Sequence, residues 1–323
     1  MVSEPTFLDV LEARKRIEPY LKPTALFRYA ELDRSLGNET WVKHENHQPV
    51  GAFKVRGGIN LLASLSAQER RRGVVTASTG NHGLSVAYAA HLFDVRAIVC
   101  VPVHANPVKV AGIRSLGAEV VESGADFDAS RAYCEALAAK EGYRYIHSAN
   151  EPLLIAGVGT MTLEVIEELP SVEVIIVPVG GGSGAAGACI VGQAVAPKVR
   201  IIGVQSRSAP AAHMSWAARE LRAAPIATFA EGLATGVGFE LTQTLLWRYL
   251  GEFLLVDDAE IRLGMRGFLQ WAHTLVEGAG AATLAAALQL GDALRGNKVV
   301  LVASGGNVSL EQLTAMMTER RSR

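Results

Sequence analysis

Short runs rich in Val and Ile recur along the chain and alternate with segments whose apolar residues follow a helical period. Several runs are continuously apolar, which is typical of parallel strands buried on both faces. Strands are predicted at residues 41–44, 74–77, 97–101, 119–121, 144–147, 174–179, 199–204 and 299–303. Helices are predicted between them, most clearly at residues 84–91, 108–116 and 129–141. This alternation predicts an α/β fold with right-handed crossovers.

The predicted strands fall into two blocks, which indicates two domains. Residues 41–147 carry about five strand–helix units, and a turn-forming segment, HSANEPLLIAGVGT, follows them. We therefore predict a small domain of residues 41–147 inserted into a large domain of residues 1–40 and 148–323. Each should be a mostly parallel, twisted sheet flanked by helices. Ligands of such sheets bind beyond the carboxyl ends of the strands, so we expect the active site in the interdomain cleft.

Composition and charge exclude several classes of protein. Hydrophobic residues make up 49% of the chain and charged residues 20%, with a net charge of −1, so a nucleic-acid partner is not expected. No apolar stretch reaches the length of a membrane span, and the charged, amphipathic N-terminus does not resemble a signal peptide. Three cysteines without paired spacing are typical of a reducing compartment. We expect a cytoplasmic protein with no membrane partner.

Glycine is the outlier in composition, with 32 residues among 323. More than half of the glycines lie in six short segments: 51–58, 80–83, 180–187, 232–238, 278–280 and 305–306. Glycine is favoured where the backbone bends sharply or approaches a ligand closely. The clustering therefore predicts a ligand site built largely from backbone.

Two of these segments fit both a chemical and a structural interpretation. Lys54 lies in PVGAFKVRGG, and burial would lower its pKa and make the amine nucleophilic, as an imine-forming lysine requires. A lysine that opens a helix at a solvated turn is the alternative. STGNHG, residues 78–83, fits an anion site at a helix N-terminus or ordinary helix capping.

Two further glycine segments follow predicted strands. The run VPVGGGSGAAG forms a nest of N–H groups before a helix, which suits a phosphate. It contains GxGxxG, but no Asp or Glu lies near residues 203–205, so NAD is disfavoured. In SGGN, Ser304 would lie at the carboxyl end of a strand, where a strand-terminating turn is the alternative. The chain has no HExxH, Cys/His cluster or GxSxG motif.

Taken in order, GAFKVRGG, STGNHG, VPVGGGSGAAG and SGGN resemble the motifs of fold-type-II pyridoxal-phosphate (PLP) enzymes, the tryptophan-synthase-β-like group. Within that group the chain is most similar to the serine/threonine dehydratases and serine racemase. The resemblance implies a two-domain PLP enzyme, a homodimer, that converts L-threonine or L-serine to the 2-oxo acid and ammonia by α,β-elimination. Serine racemisation, β-replacement, and dehydration of 3-hydroxyaspartate or another β-substituted serine stay open as alternatives.

The resemblance also implies roles for individual residues. Lys54 would carry PLP and act as the base at the substrate Cα, and Thr79 stands where racemases place a second base. Cofactor contacts are implied for Phe53, Lys54, Asn81, Gly180, Gly181, Gly182, Ser183, Gly184, Gly236, Glu277 and Ser304. Substrate contacts are implied for Ser78, Thr79, Asn81, His82 and Arg131, the last with a distal carboxylate.

The chain also departs from the family pattern. Ala52 stands where the family commonly has Ser. Residues 205–211 lack the two carboxylates with which some relatives bind a divalent cation. We therefore predict no metal at that position.

Overall fold

The computed structural model describes residues 3–105 and 107–318, except for the side chain at position 108. The chain divides into two compact units, unit 1 with residues 1–22 and 54–160 and unit 2 with residues 23–53 and 161–323. No helix in the described ranges is long and apolar enough to cross a bilayer.

Strands and helices alternate through both units, as the hydrophobic pattern predicts. In chain order the elements are α1 (Phe7–Ile17), β1 (Leu26–Arg28), α2 (Ala30–Leu36), β2 (Glu39–Lys43), α3 (Lys54–Ala63), α4 (Ala67–Arg72), β3 (Val74–Ala77), α5 (Asn81–Leu92), β4 (Ala97–Val101), α6 (Pro107–Ser115), β5 (Glu119–Glu122), α7 (Phe127–Glu141), β6 (Arg144–Tyr145), α8 (Pro152–Glu168), β7 (Val174–Pro178), α9 (Ser183–Val195), β8 (Arg200–Ser206), α10 (Ala211–Ala218), α11 (Glu240–Tyr249), β9 (Glu252–Val256), α12 (Asp258–Trp271), α13 (Gly278–Leu290), β10 (Lys298–Val302) and α14 (Leu310–Thr318). Short 3₁₀ segments lie at Glu45–His47, Glu231–Leu233 and Gly291–Leu294.

Unit 1 is built on a four-stranded parallel sheet in the order β5-β4-β3-β6. The two central strands are buried along their whole length, which agrees with their largely apolar sequences. Helix α7 begins after Asp126, whose side chain accepts the N–H of Ala129, and ends at Gly142 in the left-handed conformation. The core between this helix and the sheet consists of Val75, Ala77, Ile98, Cys100, Cys134 and Ala138.

Unit 2 is built on a six-stranded sheet in the order β1-β2-β10-β7-β8-β9. Strand β1 is antiparallel to β2, and the other neighbours are parallel. All five residues of β7 are buried, and α13 packs its small, buried side chains against the sheet. The carboxyl ends of β7 and β10 lead into two of the glycine segments of this unit, 180–187 and 305–306.

The structure confirms the α/β class and the parallel sheets, and it corrects several predicted bounds. Strands β1 and β9 had no predicted counterpart, and the strand predicted at 144–147 ends at Tyr145. The predicted domain boundaries also differ from the two units. Residues 41–44 lie in unit 2 because β2 hydrogen-bonds to β10, and residues 3–22 lie in unit 1. Hydrophobic pattern does not reveal which strand pairs with which.

Candidate active site

Lys54 is the first residue of α3 in unit 1 and is half-buried. Its Nζ donates to the carbonyl oxygen of Ser148 at 3.3 Å. Burial lowers the pKa of this amine from its ordinary value to about 8. Such an amine has a substantial neutral fraction near neutral pH and is then a nucleophile. The surroundings of Lys54 therefore favour the nucleophilic interpretation over a solvated helix start.

The glycines that follow Lys54 allow three helices to pack closely. A Cβ atom on Gly58 would lie 2.4 Å from Ser85 Oγ, and one on Gly57 would lie 3.0 Å from the carbonyl oxygen of Leu154. Only glycine fits such approaches, so α3 lies directly against α5 and α8. Ser85 Oγ also donates to the carbonyl of Lys54 at 2.6 Å, which fixes the first turn of α3.

The STGNHG loop, residues 78–83, connects β3 to α5. Ser78 Oγ accepts the N–H of Gly80 at 3.1 Å, and the loop is half-buried at Thr79. Helix α5 begins at Asn81, three residues before the predicted start, so the loop itself supplies the first helical turn. The N–H groups of a first turn have no partner within the helix. This geometry suits an anion such as a carboxylate.

The side chain of His82 turns into the interior of unit 1 instead. Its Nε2 lies 2.9 Å from Thr76 Oγ1, and that hydroxyl donates its single proton to the carbonyl of Ile146 at 2.8 Å. His82 must therefore donate through Nε2–H. Burial, followed by the charge of Lys54, lowers the pKa of His82 to about 3, so Nδ1 carries no proton and has no partner. The imidazole cannot donate to a substrate carboxylate, which leaves that predicted contact to the backbone N–H.

Arg131, in the second turn of α7, acts electrostatically on His147, as Lys54 does. The guanidinium contacts the exposed Asp128 at 3.3 Å, and 35% of the Arg131 side chain is exposed. Burial, then the charges of Arg131 and Lys54, lower the pKa of His147 to about 4. The charges of Arg131 and Lys54 therefore act on the same imidazole, and the predicted contact of Arg131 with the substrate stays a prediction.

In unit 2, β7 leads into the glycine loop, residues 180–184, which opens α9. Gly182 has φ +91°, a conformation that L side chains rarely adopt. A Cβ atom on Gly180 would lie 2.1 Å from the carbonyl oxygen of Gly232. The loop therefore favours glycine at Gly182 because of the backbone conformation and at Gly180 because of the close approach to Gly232.

Two threonines hold the glycine loop by its carbonyl groups. Thr242 Oγ1 donates to Gly181 O at 2.8 Å, and Thr235 Oγ1 donates to Gly180 O at 3.4 Å. The N–H groups that begin α9, from Ser183 onward, lie at the positive end of a 13-residue helix. A loop fixed by its carbonyls and presenting its N–H groups fits a phosphate.

The SGGN segment pairs with the chain at Phe53. The N–H of Phe53 donates to Ser304 O at 3.0 Å, and Ala52 forms a β-bridge with Gly305. The Phe53 ring lies 3.2 Å from the position of a Cβ atom on Gly184. Ser304 itself is 3% exposed at the end of β10. Unit 2 therefore brings Phe53, Ser304 and the glycine loop together, as the motifs predict.

Glu277, the residue before α13, lies at the same cluster. Its N–H donates to the carbonyl of Gly305 at 2.9 Å. Its Oε1 is 3.7 Å from the position of a Cβ atom on Gly232, the residue that approaches the glycine loop. These contacts connect the predicted Glu277 to two glycine segments, residues 232–238 and 305–306.

Gly236 is predicted to contact the cofactor, but its nearest neighbours are Ala224 and Ile226 and not residues of the glycine loop. Its carbonyl accepts the N–H of Ala224 at 2.9 Å, and a Cβ atom on it would meet Ile226 at 3.4 Å. The residue before it, Thr235, makes the contact with the glycine loop. Thr235, Thr242 and Ser148 were missed from the sequence. A turn-forming HSAN segment directly after a strand was the available signal for Ser148.

The segment after β8 carries no sign of a cation site. Gln205 Oε1 accepts the N–H of His213 at 3.0 Å, and its Nε2 donates to Thr235 Oγ1 at 3.3 Å. Within residues 3–105 and 107–318, no three His, Cys, Asp or Glu side chains lie together as metal ligands would. The expected absence of a metal stays a prediction.

The comparisons with known proteins identify the class to which this fold and these motifs belong. Residues 17–305 match the family described as pyridoxal-phosphate dependent enzyme. The chain belongs to this family, and the predicted cofactor is thereby confirmed.

Particular relatives cover almost the whole chain. The L-threonine ammonia-lyase of Thermotoga maritima is 37% identical over 317 residues, 97% of this chain and 78% of that protein. The catabolic L-threonine dehydratase of Staphylococcus aureus is 34% identical over 96% of this chain and 91% of its own length. The structure of maize serine racemase superimposes with a TM-score of 0.92 at 31% identity, covering 98% of this chain and 97% of that one.

The residues present fit PLP. The glycine loop is held by its carbonyl groups and opens α9, so the N–H groups at the positive end of that helix suit a phosphate. Lys54 supplies an amine whose pKa is lowered to about 8, which suits Schiff-base formation with an aldehyde.

Proposed function

We propose that this chain is a PLP-dependent ammonia-lyase that converts L-threonine or L-serine to the 2-oxo acid and ammonia by α,β-elimination. The observation that carries the proposal is Lys54, a half-buried amine with a pKa of about 8 in the first turn of α3. The substrate class is supported by relatives named L-threonine ammonia-lyase and L-threonine dehydratase.

When bound, PLP supplies an electron sink for the bonds at the substrate Cα. Lys54 would hold the cofactor at rest and take the Cα proton on Nζ during the reaction. The N–H groups of residues 180–184 would bind the phosphate, beside the ring of Phe53. The buried Ser304 hydroxyl would face the ring nitrogen. A neutral hydroxyl, unlike an aspartate, does not hold a proton on that nitrogen, which favours elimination.

The STGNHG loop would bind the α-carboxylate of the substrate. Its first-turn N–H groups at Asn81 and His82 and its hydroxyls at Ser78 and Thr79 are all donors. The Asn81 amide would also reach the ring oxygen of the cofactor. The bare Nδ1 of His82 accepts hydrogen bonds and would disfavour a carboxylate on its own side, so the imidazole would act by holding the loop to Thr76.

The first experiment tests whether Lys54 carries the cofactor. Purified protein with PLP should show the visible absorbance of a Schiff base, and Lys54→Ala should lose it together with lyase activity. The exposed Lys140→Ala, whose side chain is 80% exposed on α7, is the matched control and should behave like wild type. Full activity of Lys54→Ala would refute the proposal.

The second experiment identifies the substrate and separates the lyase from a racemase. Serine, threonine, 3-hydroxyaspartate and 3-phenylserine are assayed for release of 2-oxo acid, and L-serine also for D-serine. With L-serine, pyruvate should be the main product and D-serine the minor one. Racemisation is the second candidate because of the similarity to maize serine racemase. Thr79, where racemases place serine, should make D-serine the minor product. D-serine as the main product would overturn the proposal.

A substitution at Arg131 tests the alternative that the substrate is acidic, such as 3-hydroxyaspartate. The Arg131 guanidinium, whose charge acts on His147, would suit a distal carboxylate, as in 3-hydroxyaspartate. Arg131→Gln should then raise KM for 3-hydroxyaspartate while leaving threonine turnover unchanged. Equal effects on both substrates would assign Arg131 to the structure of α7.

We also propose that the chain acts as a homodimer in the cytoplasm. All three cysteines are free and buried, which fits a reducing compartment. Sedimentation equilibrium should give twice the mass of one 34.3 kDa chain. A monomer at micromolar concentration would contradict the dimer, and fractionation of the source cells tests the compartment.

A further inference from the structure

A tight turn at residues 147–150 follows β6 and is folded around one imidazole. His147 Nδ1 accepts the N–H of Ala149 at 3.0 Å and the N–H of Asn150 at 2.9 Å. A nitrogen that accepts two N–H groups carries no proton. The neutral ring therefore keeps its proton on Nε2. This turn imitates the one that an Asn or Asp side chain makes with the backbone two residues further on.

The same turn contacts Lys54. Nζ of Lys54 donates to the carbonyl oxygen of Ser148 at 3.3 Å. The carbonyl of Ser148 and the N–H of Ala149 belong to one peptide group, which is planar and places these two groups on opposite sides. His147 therefore holds one side of a peptide plane whose other side meets the Lys54 amine.

We propose that His147 is a positioning residue for Lys54. Its ring fixes the peptide group between Ser148 and Ala149. The Ser148 carbonyl can then accept a hydrogen bond from the Lys54 amine whenever the amine is not bonded to the cofactor. This inference rests on the proposed role of Lys54 as the residue that carries PLP. The amine that takes the Cα proton becomes an ammonium, and the Ser148 carbonyl accepts one of its three N–H groups.

The carbonyl opposes the effect of burial on Lys54. Burial disfavours the ammonium, whereas an acceptor at hydrogen-bonding distance favours it. Lys54 interacts electrostatically with His82 on α5 and with His147, and Arg131 on α7 acts on His147. Both imidazoles are neutral at pH 7, so neither adds a positive charge that would repel the Lys54 ammonium. The Ser148 carbonyl helps the amine to retain a proton that it has removed from the substrate.

The test compares two amide substitutions at one position. In His147→Asn, the side-chain oxygen replaces Nδ1 and can accept the N–H of Ala149 in the same way. In His147→Gln, the amide extends toward the former Nε2 and the acceptor at Nδ1 is lost. Both variants are neutral and polar, so they differ in the place of the acceptor and not in charge.

The pKa of the Lys54 amine is measured in the full chain freed of cofactor. PLP is added at a series of pH values, and the rate of Schiff-base formation is followed by absorbance, with Lys54→Ala as the blank. His147→Asn should give the wild-type pKa. His147→Gln should lower it by about one pH unit, the effect of losing a hydrogen bond to a charged group. Equal pKa values for the two variants would overturn the inference.

A second measurement needs only the wild-type protein. In histidine labelled with ¹⁵N, His147 should carry its proton on Nε2 from pH 6 to pH 9, and a proton on Nδ1 would overturn the inference even if a variant failed to fold. If wild-type protein forms no Schiff base at Lys54, the proposed function fails instead. The two failures are thus distinguishable.

Discussion

Replacing Gly180 by alanine should weaken PLP binding without unfolding the chain. The added methyl group would lie 2.1 Å from the carbonyl oxygen of Gly232, whereas real Cβ atoms essentially never come closer than 3.0 Å. One of the two backbone segments must therefore move by about 1 Å. Gly180 does not require a positive φ, so the cost is steric, and overpacking of this kind costs about 1–3 kcal/mol.

The effect on the cofactor follows from the position of Gly180 at the start of the loop. A shift of about 1 Å would break one charge-assisted hydrogen bond to the phosphate, worth about 1.5–3 kcal/mol. Since each 1.4 kcal/mol is tenfold in affinity, the Kd for PLP should rise by about 10- to 100-fold.

The assay is a titration of the full chain with PLP, followed by Schiff-base absorbance. Gly251→Ala is the matched control, because a Cβ atom there meets nothing within 4 Å and Gly251 lies in the turn before β9. The control should bind PLP like wild type. If Gly180→Ala bound PLP within twofold of wild type at unchanged stability, the assignment of residues 180–184 to the phosphate would be wrong.

Two further predictions concern stability. His82 has its pKa lowered from 6.5 to about 3, chiefly by burial, so it contributes full stability above pH 6.5 and loses it as the pH falls toward 3. Between pH 6 and pH 4 the unfolding free energy in urea should fall with pH. The slope of this fall should be smaller in His82→Gln than in wild type by about 1.4 kcal/mol per pH unit. Lys43 is fully buried and donates to Glu164 Oε2 at 2.6 Å and to the carbonyl of Thr24 at 2.7 Å, so Lys43→Met should cost about 3–5 kcal/mol, and the double variant Lys43→Met/Glu164→Leu should cost less, because it leaves no buried charge unpaired. Additive losses in urea unfolding would contradict this account of the ion pair.

The hydrophobic pattern predicted the buried strands best. Strands β3 and β4 begin and end at the predicted residues, because each is a largely apolar, fully buried run that ends at a polar residue, a glycine or a proline on either side. Strand β1 has three residues, of which only Leu26 is buried, so it leaves no period to detect. The division into units also escaped the sequence, because it depends on the pairing of β2 with β10, which lie far apart in the chain.

The motifs likewise predicted which residues form the site better than what supports them. The glycine run was visible in the sequence, and the structure gives a close approach at Gly180 and a positive φ at Gly182 as reasons for glycine there. The threonines that hold the loop, Thr235 and Thr242, are ordinary surface-type residues in sequence and acquire their role from tertiary contacts. For the same reason the sequence implied His82 as a substrate residue but did not reveal that its imidazole donates to Thr76.

The two histidines near Lys54 show why such support matters for the chemistry. Each is neutral because burial lowers its pKa well below 7, and each has its proton placed on Nε2 by a fixed acceptor or donor. A charged imidazole at either position would repel the Lys54 ammonium and lower the pKa of the amine further. Because both rings stay neutral, Lys54 alone among these three groups titrates near neutral pH. The amine can then exist as a nucleophile toward the cofactor and as a proton carrier toward the substrate within one narrow range of pH.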